Sequence, residues 1–280
     1  MGEIEAEKLD EHWDAIRTEL KDDKAADEAD PAPSPLSEEV VINLEDVSLS
    51  FDHPILRNVS LDARKGETLM VAGESGSGKS TILKLILRLL LPDSGRIHVF
   101  DKEVVHLTFA EALELRRHIG MVFQNAALFD SLTVYENIAY PLREHKTDMD
   151  EEEIERVVHE RLDFVDLDPK IVSSQVPSQL SGGMRKRVGI ARAIATNPEV
   201  VLYDEPTAGL DPLTVGTINI LIRKLQRELN VTSIVVTHDI RAGFRVANRV
   251  NLLREGEITF RGTPEEMLAA RDPYIQAFLS

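Results

Sequence analysis

"GESGSGKST", Gly73 to Thr81, is the densest concentration of chemistry in the chain. It fits G-x-x-x-x-G-K-[ST], with an apolar run before it and a helical pattern after it. Gly73, Gly76 and Gly78 let the backbone curl, so that successive N–H groups of the loop, through Glu74, Ser75 and Ser77, point at phosphate oxygens. Lys79 supplies a compact cation for β- and γ-phosphates. The Ser80 hydroxyl suits Mg²⁺, and Thr81 reaches an α-phosphate. A nucleoside triphosphate is the expected ligand.

Other chemistry sits at the ends of apolar runs. "VVLYDE" ends in Asp204 and Glu205. Asp204 is placed to hold Mg²⁺, through water, and Glu205 to orient and deprotonate a water in line with the γ-phosphate. Carboxylates are ionised near neutral pH, so such a group can accept that proton. "MVFQ" ends in Gln124, whose amide can touch Mg²⁺ or the attacking water. "VVTHD" offers His238 for contact with the γ-phosphate. Phe51, just before the turn "DHP", either stacks on adenine or is a buried strand residue. Farther along, "LSGGMRKRVGIARAI" places Ser181, Gly182 and Gly183 before a basic helix, a second anion-binding device.

These positions require a particular scaffold. "TLMVAG", "EVVLYDE" and "TSIVVTHD" suit central strands of a parallel sheet buried on both faces. Ligands bind at the carboxyl ends of such strands. "VVINLEDVSLSF" and "RNVSLDA" read as antiparallel strands, with Val47, Leu49 and Phe51 on one face. "KSTILKLILRLL" predicts a helix stopped by Pro92 and the turn "PDSG". Residues from about 128 to 188 read as an inserted helical subdomain. Within it, acidic residues lead "DMDEEEIERVVHERLDFV", and Ile154, Val157, Val158, Arg161 and Leu162 form its stripe. No internal repeat is visible. The fold expected is α/β, with a parallel core sheet, an antiparallel β subdomain and the helical insertion.

The chain has 280 residues and a net charge of −17, of which residues 1–40 carry −10 by count. Neither part offers the basic face that nucleic acid requires. There is no cysteine, hence no disulfide or thiolate metal site. No apolar run reaches the ~20 residues of a membrane span; Lys84 and Arg88 interrupt the longest, residues 82–91. The acidic start lacks the features of a signal or transit peptide. Residues 1–39 read as a disordered extension with a low-complexity linker. Leu9, Trp13, Ile16 and Leu20 recur there at helical spacing. That segment is either a docking helix or a solubilising tail. The folded domain is expected over residues 40–280.

The order of motifs is phosphate loop, glutamine, Leu-Ser-Gly-Gly, Asp-Glu, "AGLD" and histidine. Over residues 40–280 this resembles the nucleotide-binding subunits of ABC transporters. The resemblance implies ATP and Mg²⁺, and a homodimer with shared sites. Ser181, Gly182 and Gly183 would bind the γ-phosphate held by the partner's phosphate loop, and Asp211 of "AGLD" would lie across the seam. Hydrolysis would reopen the dimer.

One ATPase unit without a coiled-coil insertion disfavours the DNA-repair, chromosome-organising and translation-factor relatives. Met184 after Leu-Ser-Gly-Gly and "GMVFQNAALFDSLTVYENIAYPLRE" resemble the ATPases of Mce/Mla-type lipid transport systems. That implies an integral membrane permease dimer, a periplasmic Mce-type lipid-binding protein, and a place on the cytoplasmic face of the inner membrane. Leu128, Phe129 and Leu132 would face the permease's coupling helix. Some relatives continue past the equivalent of "DPYIQAFLS" with a tail that clasps the partner ATPase and a STAS-domain protein. This sequence ends at Ser280, which puts the STAS-domain partner in doubt. The same catalytic residues would serve a small-solute importer, or a regulatory ATPase acting on cell-wall machinery without transport.

Overall fold

A computed structural model describes residues 37–145 and 148–279. The helix expected around Trp13 and nearly all of the acidic extension lie outside them.

Two sheets form the frame. The first has the order β2-β1-β4-β5, built from β1 (Val40–Ser50), β2 (Pro54–Arg64), β4 (Ser94–Val99) and β5 (Lys102–Glu103), all antiparallel. Alternation along β1 and β2 turns Leu44, Val47, Leu49, Leu56, Val59 and Leu61 inward. The second sheet has the order β10-β9-β3-β8-β7-β6. Its strands are β3 (Thr68–Ala72), β6 (Ile119–Val122), β7 (Val200–Asp204), β8 (Thr232–Thr237), β9 (Arg249–Arg254) and β10 (Glu257–Gly262). Neighbours from β9 to β6 run parallel, and β10 pairs antiparallel with β9. β3 is buried along its whole length, as the apolar run from Leu69 to Ala72 requires. Fully burying a side chain such as Leu69 or Ile234 contributes roughly 1.5–3 kcal/mol.

Register aligns the strand ends. Ala72 pairs with Thr237, Asp204 with Val236, and Val122 with Tyr203. The residues that follow β3, β6, β7 and β8 therefore emerge at one edge.

Helix α1 (Lys79–Ile86) leaves the phosphate loop and buries Ile82, Leu83, Leu85 and Ile86. The apolar pattern predicts it to reach Leu90, but it ends four residues earlier. Arg88 adopts φ 51°, and the N–H groups of Leu89 and Leu90 fold back to the Lys84 carbonyl. Arg116, on α2 (Phe109–Arg117), donates to the carbonyls of Leu87 and Arg88, at 2.8 and 3.0 Å. Backbone N–H groups thus satisfy the end of α1, and a cation holds the two carbonyls that follow, before the proline is reached.

The helical layer contains α3 (Val134–His145), α4 (Glu151–Phe164), α5 (Pro169–Val172) and α6 (Gly182–Ala193). Residues 128–133, expected to be helical, are irregular chain with a turn and bend at 130–132. The first helix starts only where Thr133 and Glu136 exchange capping bonds, at 2.7 and 3.2 Å. On α4, Asp150 and Glu153 form the same box, and Ile154, Val158 and Leu162 are buried. Beyond β7 lie α7 (Pro212–Leu229), α8 (Ile240–Phe244), α9 (Pro264–Ala269) and α10 (Pro273–Leu279).

The two sheets are clipped together by charge. Arg249 on β9 donates to both carboxylate oxygens of Asp62 on β2, at 2.8 and 2.9 Å, and lies 3.4 Å from the buried Glu67. The Arg249 hydrogen bond holds the Asp62 carboxyl below its usual range, whereas burial pushes that of Glu67 up.

Candidate functional site

The phosphate loop occupies the turn from β3 into α1. Gly76 and Gly78 take φ 82° and 104°, left-handed values that glycine adopts without strain. A Cβ on Gly73 would stand 2.4 Å from the Leu253 carbonyl oxygen, so the loop's start tolerates no side chain. Lys79 is buried, and its Nζ donates to the carbonyls of Gly73 and Glu74, at 2.8 and 2.9 Å. This brings the ammonium back across the loop's mouth. Glu74 also accepts from the Tyr274 hydroxyl on α10, at 3.1 Å.

Two further strand ends, those of β7 and β8, close on this loop. Ser80 donates to Asp204 Oδ1 at 2.7 Å. A hydroxyl beside a carboxylate is a hard-oxygen pair that fits Mg²⁺. Among the described residues, no three His, Cys, Asp or Glu side chains converge as a metal cage. A divalent ion here would share its coordination with water and phosphate, as Mg²⁺ characteristically does. Glu205 Oε1 lies 3.5 Å from Lys79 Nζ. Its Oε2 accepts from the Thr237 hydroxyl at 3.1 Å, from the His238 backbone N–H at 3.3 Å, and meets His238 Nδ1 at 2.9 Å. The carboxylate is thus fixed by the end of β8 and faces the loop's cation. As an imidazolium, His238 donates Nδ1–H to Glu205 and has Nε2–H left for a phosphate oxygen, and its side chain is half exposed.

Phe51 is 60% exposed, in the turn between β1 and β2. The alternative of a buried strand residue therefore does not hold, and an open aromatic face is available for stacking. Gln124 follows β6 with its side chain exposed. Its carbonyl accepts from Lys186 Nζ.

Ser181, Gly182, Gly183 and Asp211 form a second cluster. Ser181 caps α6, accepting from the Met184 N–H at 3.2 Å. Asp211 caps α7, accepting from the Thr214 N–H at 3.1 Å and from its hydroxyl. The Thr214 hydroxyl bond, foremost, lowers the Asp211 carboxyl from its ordinary value. A Cβ on Gly183 would approach Thr214 Cγ2 to 2.6 Å, so the two helix starts touch. The arginines of α6 are engaged by backbone carbonyls. Arg185 donates to the Leu180 carbonyl, Arg187 to those of Val165 and Asp166, and Arg192 to those of Ala126 and Ala127. What α6 offers an anion is its N-terminal backbone.

Sequence reasoning missed Thr237 and Lys186 as members of the site. Lys186 carried a signal: it shares its helix face with Gly189 and Ile190, both buried.

A groove of about 310 Å³ opens beside the loop after Gln124, lined among others by Arg116, Arg117, Phe123, Phe129, Tyr140 and Arg192. Phe129 and Tyr140 rings lie 5.1 Å apart, and the Arg192 guanidinium sits 5.7 Å from the Phe129 centroid. Of the three residues expected to face a partner, Phe129 is exposed here. Leu132 is half-buried, and Leu128 packs against the helical core.

Comparison with known proteins adds to this geometry. Residues 56–208 match the family model described as ABC transporter. The chain is similar to the intermembrane phospholipid transport system ATP-binding protein MlaF of Haemophilus influenzae, with 38% identity over 81% of this chain and 85% of MlaF. It is also similar to the methionine import ATP-binding protein MetN 2 of Bacillus cereus, with 42% identity over 74% of this chain and 60% of MetN 2. Among solved structures, it resembles the ATP-binding cassette MJ0796 in a dimeric post-hydrolysis state bound to ADP and Pi. That likeness has a TM-score of 0.74 and 35% identity, covering 80% of this chain and 98% of the other.

Proposed function

Because the chain belongs to the ABC transporter family and is one of its ATP-hydrolysing cassettes, we propose that it powers phospholipid transport in an Mce/Mla-type system. The observation that carries the ATPase chemistry is the convergence of Lys79, Ser80, Asp204, Glu205 and His238 at one sheet edge. Lys79 and the loop N–H groups bind the β- and γ-phosphates of ATP, and Phe51 stacks on the adenine. Ser80, Asp204 and Gln124 would hold Mg²⁺, which neutralises phosphate charge when bound. Glu205 takes the proton from the attacking water, and Thr237 and His238 keep its carboxylate aimed. His238 Nε2 steadies the γ-phosphate.

Ser181, Gly182 and Gly183 serve the ATP of a second copy, with Asp211 at the seam. The dimeric state of the similar cassette MJ0796 supports this. The permease dimer docks in the groove, whose lining combines Phe123, Phe129 and Tyr140 with Arg116, Arg117 and Arg192. Among the described residues, no helix is long and apolar enough to cross a membrane. A peripheral place at the cytoplasmic face of the inner membrane, held by the permease, fits this, with a periplasmic Mce-type protein completing the path.

Similarity to MlaF, together with Met184, supports phospholipid as cargo. Similarity to MetN 2 favours the second reading, a small-solute importer. The test is to purify the assembled transporter and identify bound lipid by mass spectrometry while measuring ATP turnover. Phospholipid should co-purify and stimulate turnover; stimulation by a free amino acid instead would decide for the importer. Glu205→Gln should bind ATP yet lose turnover by at least ~10²–10⁴-fold, the usual range for losing a general base. Turnover near that of the wild type would remove Glu205 from the role of base.

A further inference from the structure

Lys186 is the buried cation of α6, 5% exposed, while Arg185, Arg187 and Arg192 are half-buried. Its Nζ donates to two backbone carbonyls, those of Gln124 and Glu205, the latter at 3.3 Å. These carbonyls stand in the loops that leave β6 and β7, adjacent strands of the large sheet. Both loops carry left-handed backbone at residues with side chains: φ is 48° at Glu205, 59° at Ala126 and 47° at Ala127. Such conformations persist only where surrounding contacts fix them.

The loop after Gln124 is fastened to α6 at further points. Arg192 donates to the carbonyls of Ala126 and Ala127, both at 2.9 Å. A Cβ on Gly189 would meet the Ala126 Cβ at 3.1 Å, so helix and loop pack backbone to backbone. Helix α6 and residues 124–127 thus form one body. Lys186 joins that body to the residue whose carboxylate faces Lys79.

We propose that Lys186 is a positioning residue for hydrolysis. It sets the Glu205 peptide, and through it the carboxylate, against the Gln124 loop and the helix that Ser181 caps. An ammonium hydrogen bond to a carbonyl is stronger than a neutral one, and burial sharpens the dependence on geometry. Burial disfavours the charge of Lys186, and the nearby carboxylates of Glu205 and Asp204 partly restore it. Turning α6 displaces Glu205, so a signal reaching the helical layer alters catalysis at this chain's own phosphate loop as well as the contacts that Ser181 offers a second copy. This inference rests on the ATPase reading above.

The test uses the full chain in the assembled transporter, with Lys186→Met, Lys186→Arg, Glu205→Gln and wild type side by side. Turnover, KM for ATP, affinity for a fluorescent ATP analogue and melting temperature are measured for each. Lys186→Met keeps the stem but removes the donor. Its kcat should fall by ~10²-fold, the cost of a small misplacement of reacting groups, with KM and affinity little changed. Lys186→Arg retains a cationic donor and should recover most of the loss. Wild-type kcat in Lys186→Met overturns the proposal. So does a loss of turnover, affinity and melting temperature together in both lysine variants, which would mark Lys186 as a fold residue only. Wild-type turnover that Glu205→Gln does not reduce would instead defeat the assignment on which the proposal rests.

Discussion

Glu205 sits at φ 48° with its carboxylate held by Thr237 and His238. A left-handed conformation costs a residue with a Cβ about 1–2 kcal/mol, and glycine largely escapes that cost. Glu205→Gly should therefore be more stable than Glu205→Ala by about 1 kcal/mol, after allowing for the larger entropy of an unfolded glycine. Both variants lose the carboxylate equally, so chemical denaturation of the pair isolates the backbone. Equal stabilities, or a less stable glycine variant, would show that the backbone there is unstrained. Asp204, Glu205 and His238 were readable in the sequence because each ends an apolar run abruptly. Lys186 was harder to read, because "MRKR" offers four side chains and only the spacing of three and four residues to Gly189 and Ile190 marks which one turns inward.

At the scale of elements, strands were easier to read than helix limits. Period-two alternation in β1 and β2, and the mostly apolar, buried runs in β3, β7 and β8, follow directly from one-sided and two-sided burial. The end of α1 was hidden, since Arg116 lies 28 residues beyond the carbonyl it caps. The Asp62–Arg249 clip was equally non-local, being 187 residues apart. Its pH dependence has a definite sign. The folded Asp62 carboxyl titrates below its unfolded value of ~3.9, so the clip's contribution is present above that pH. It is lost as pH falls through the lowered folded value. Asp62→Asn should cost roughly 1 kcal/mol at pH 7, since the pair is partly solvent-screened. Below the folded value of Asp62 the two chains should converge. Glu67, raised by burial, acts with the opposite sign in both. Urea melts across this range check the prediction, and a constant gap at all pH values would refute it.

At the scale of the whole molecule, Ser181 and Asp211 belong to a cluster whose bonds described here are helix caps, while Lys79 and Glu205 belong to another. If each ATP is held by one cluster from each of two copies, damage should be shareable. Pairing a Lys79→Ala chain with a Ser181→Arg chain puts both defects in one site and leaves the other intact. Placing both changes on one chain damages each site once. The first pairing should bind about half the normal ATP and the second much less, as measured by nucleotide binding to purified mixed dimers. Identical binding by the two pairings would exclude composite sites.

Arg116 lines the groove and also grips the carbonyls of Leu87 and Arg88 just past the end of α1, the helix whose first residue is Lys79. Eight residues at ~1.5 Å each make that helix a rod about 12 Å long. The wall of the groove and the mouth of the phosphate loop are the two ends of that rod. An acidic group entering the groove would compete for the Arg116 guanidinium and loosen the far end. Were a partner to dock in the groove, the distance to the phosphate loop would be two and a fraction turns of helix, short enough for a single stiff strut to carry its effect.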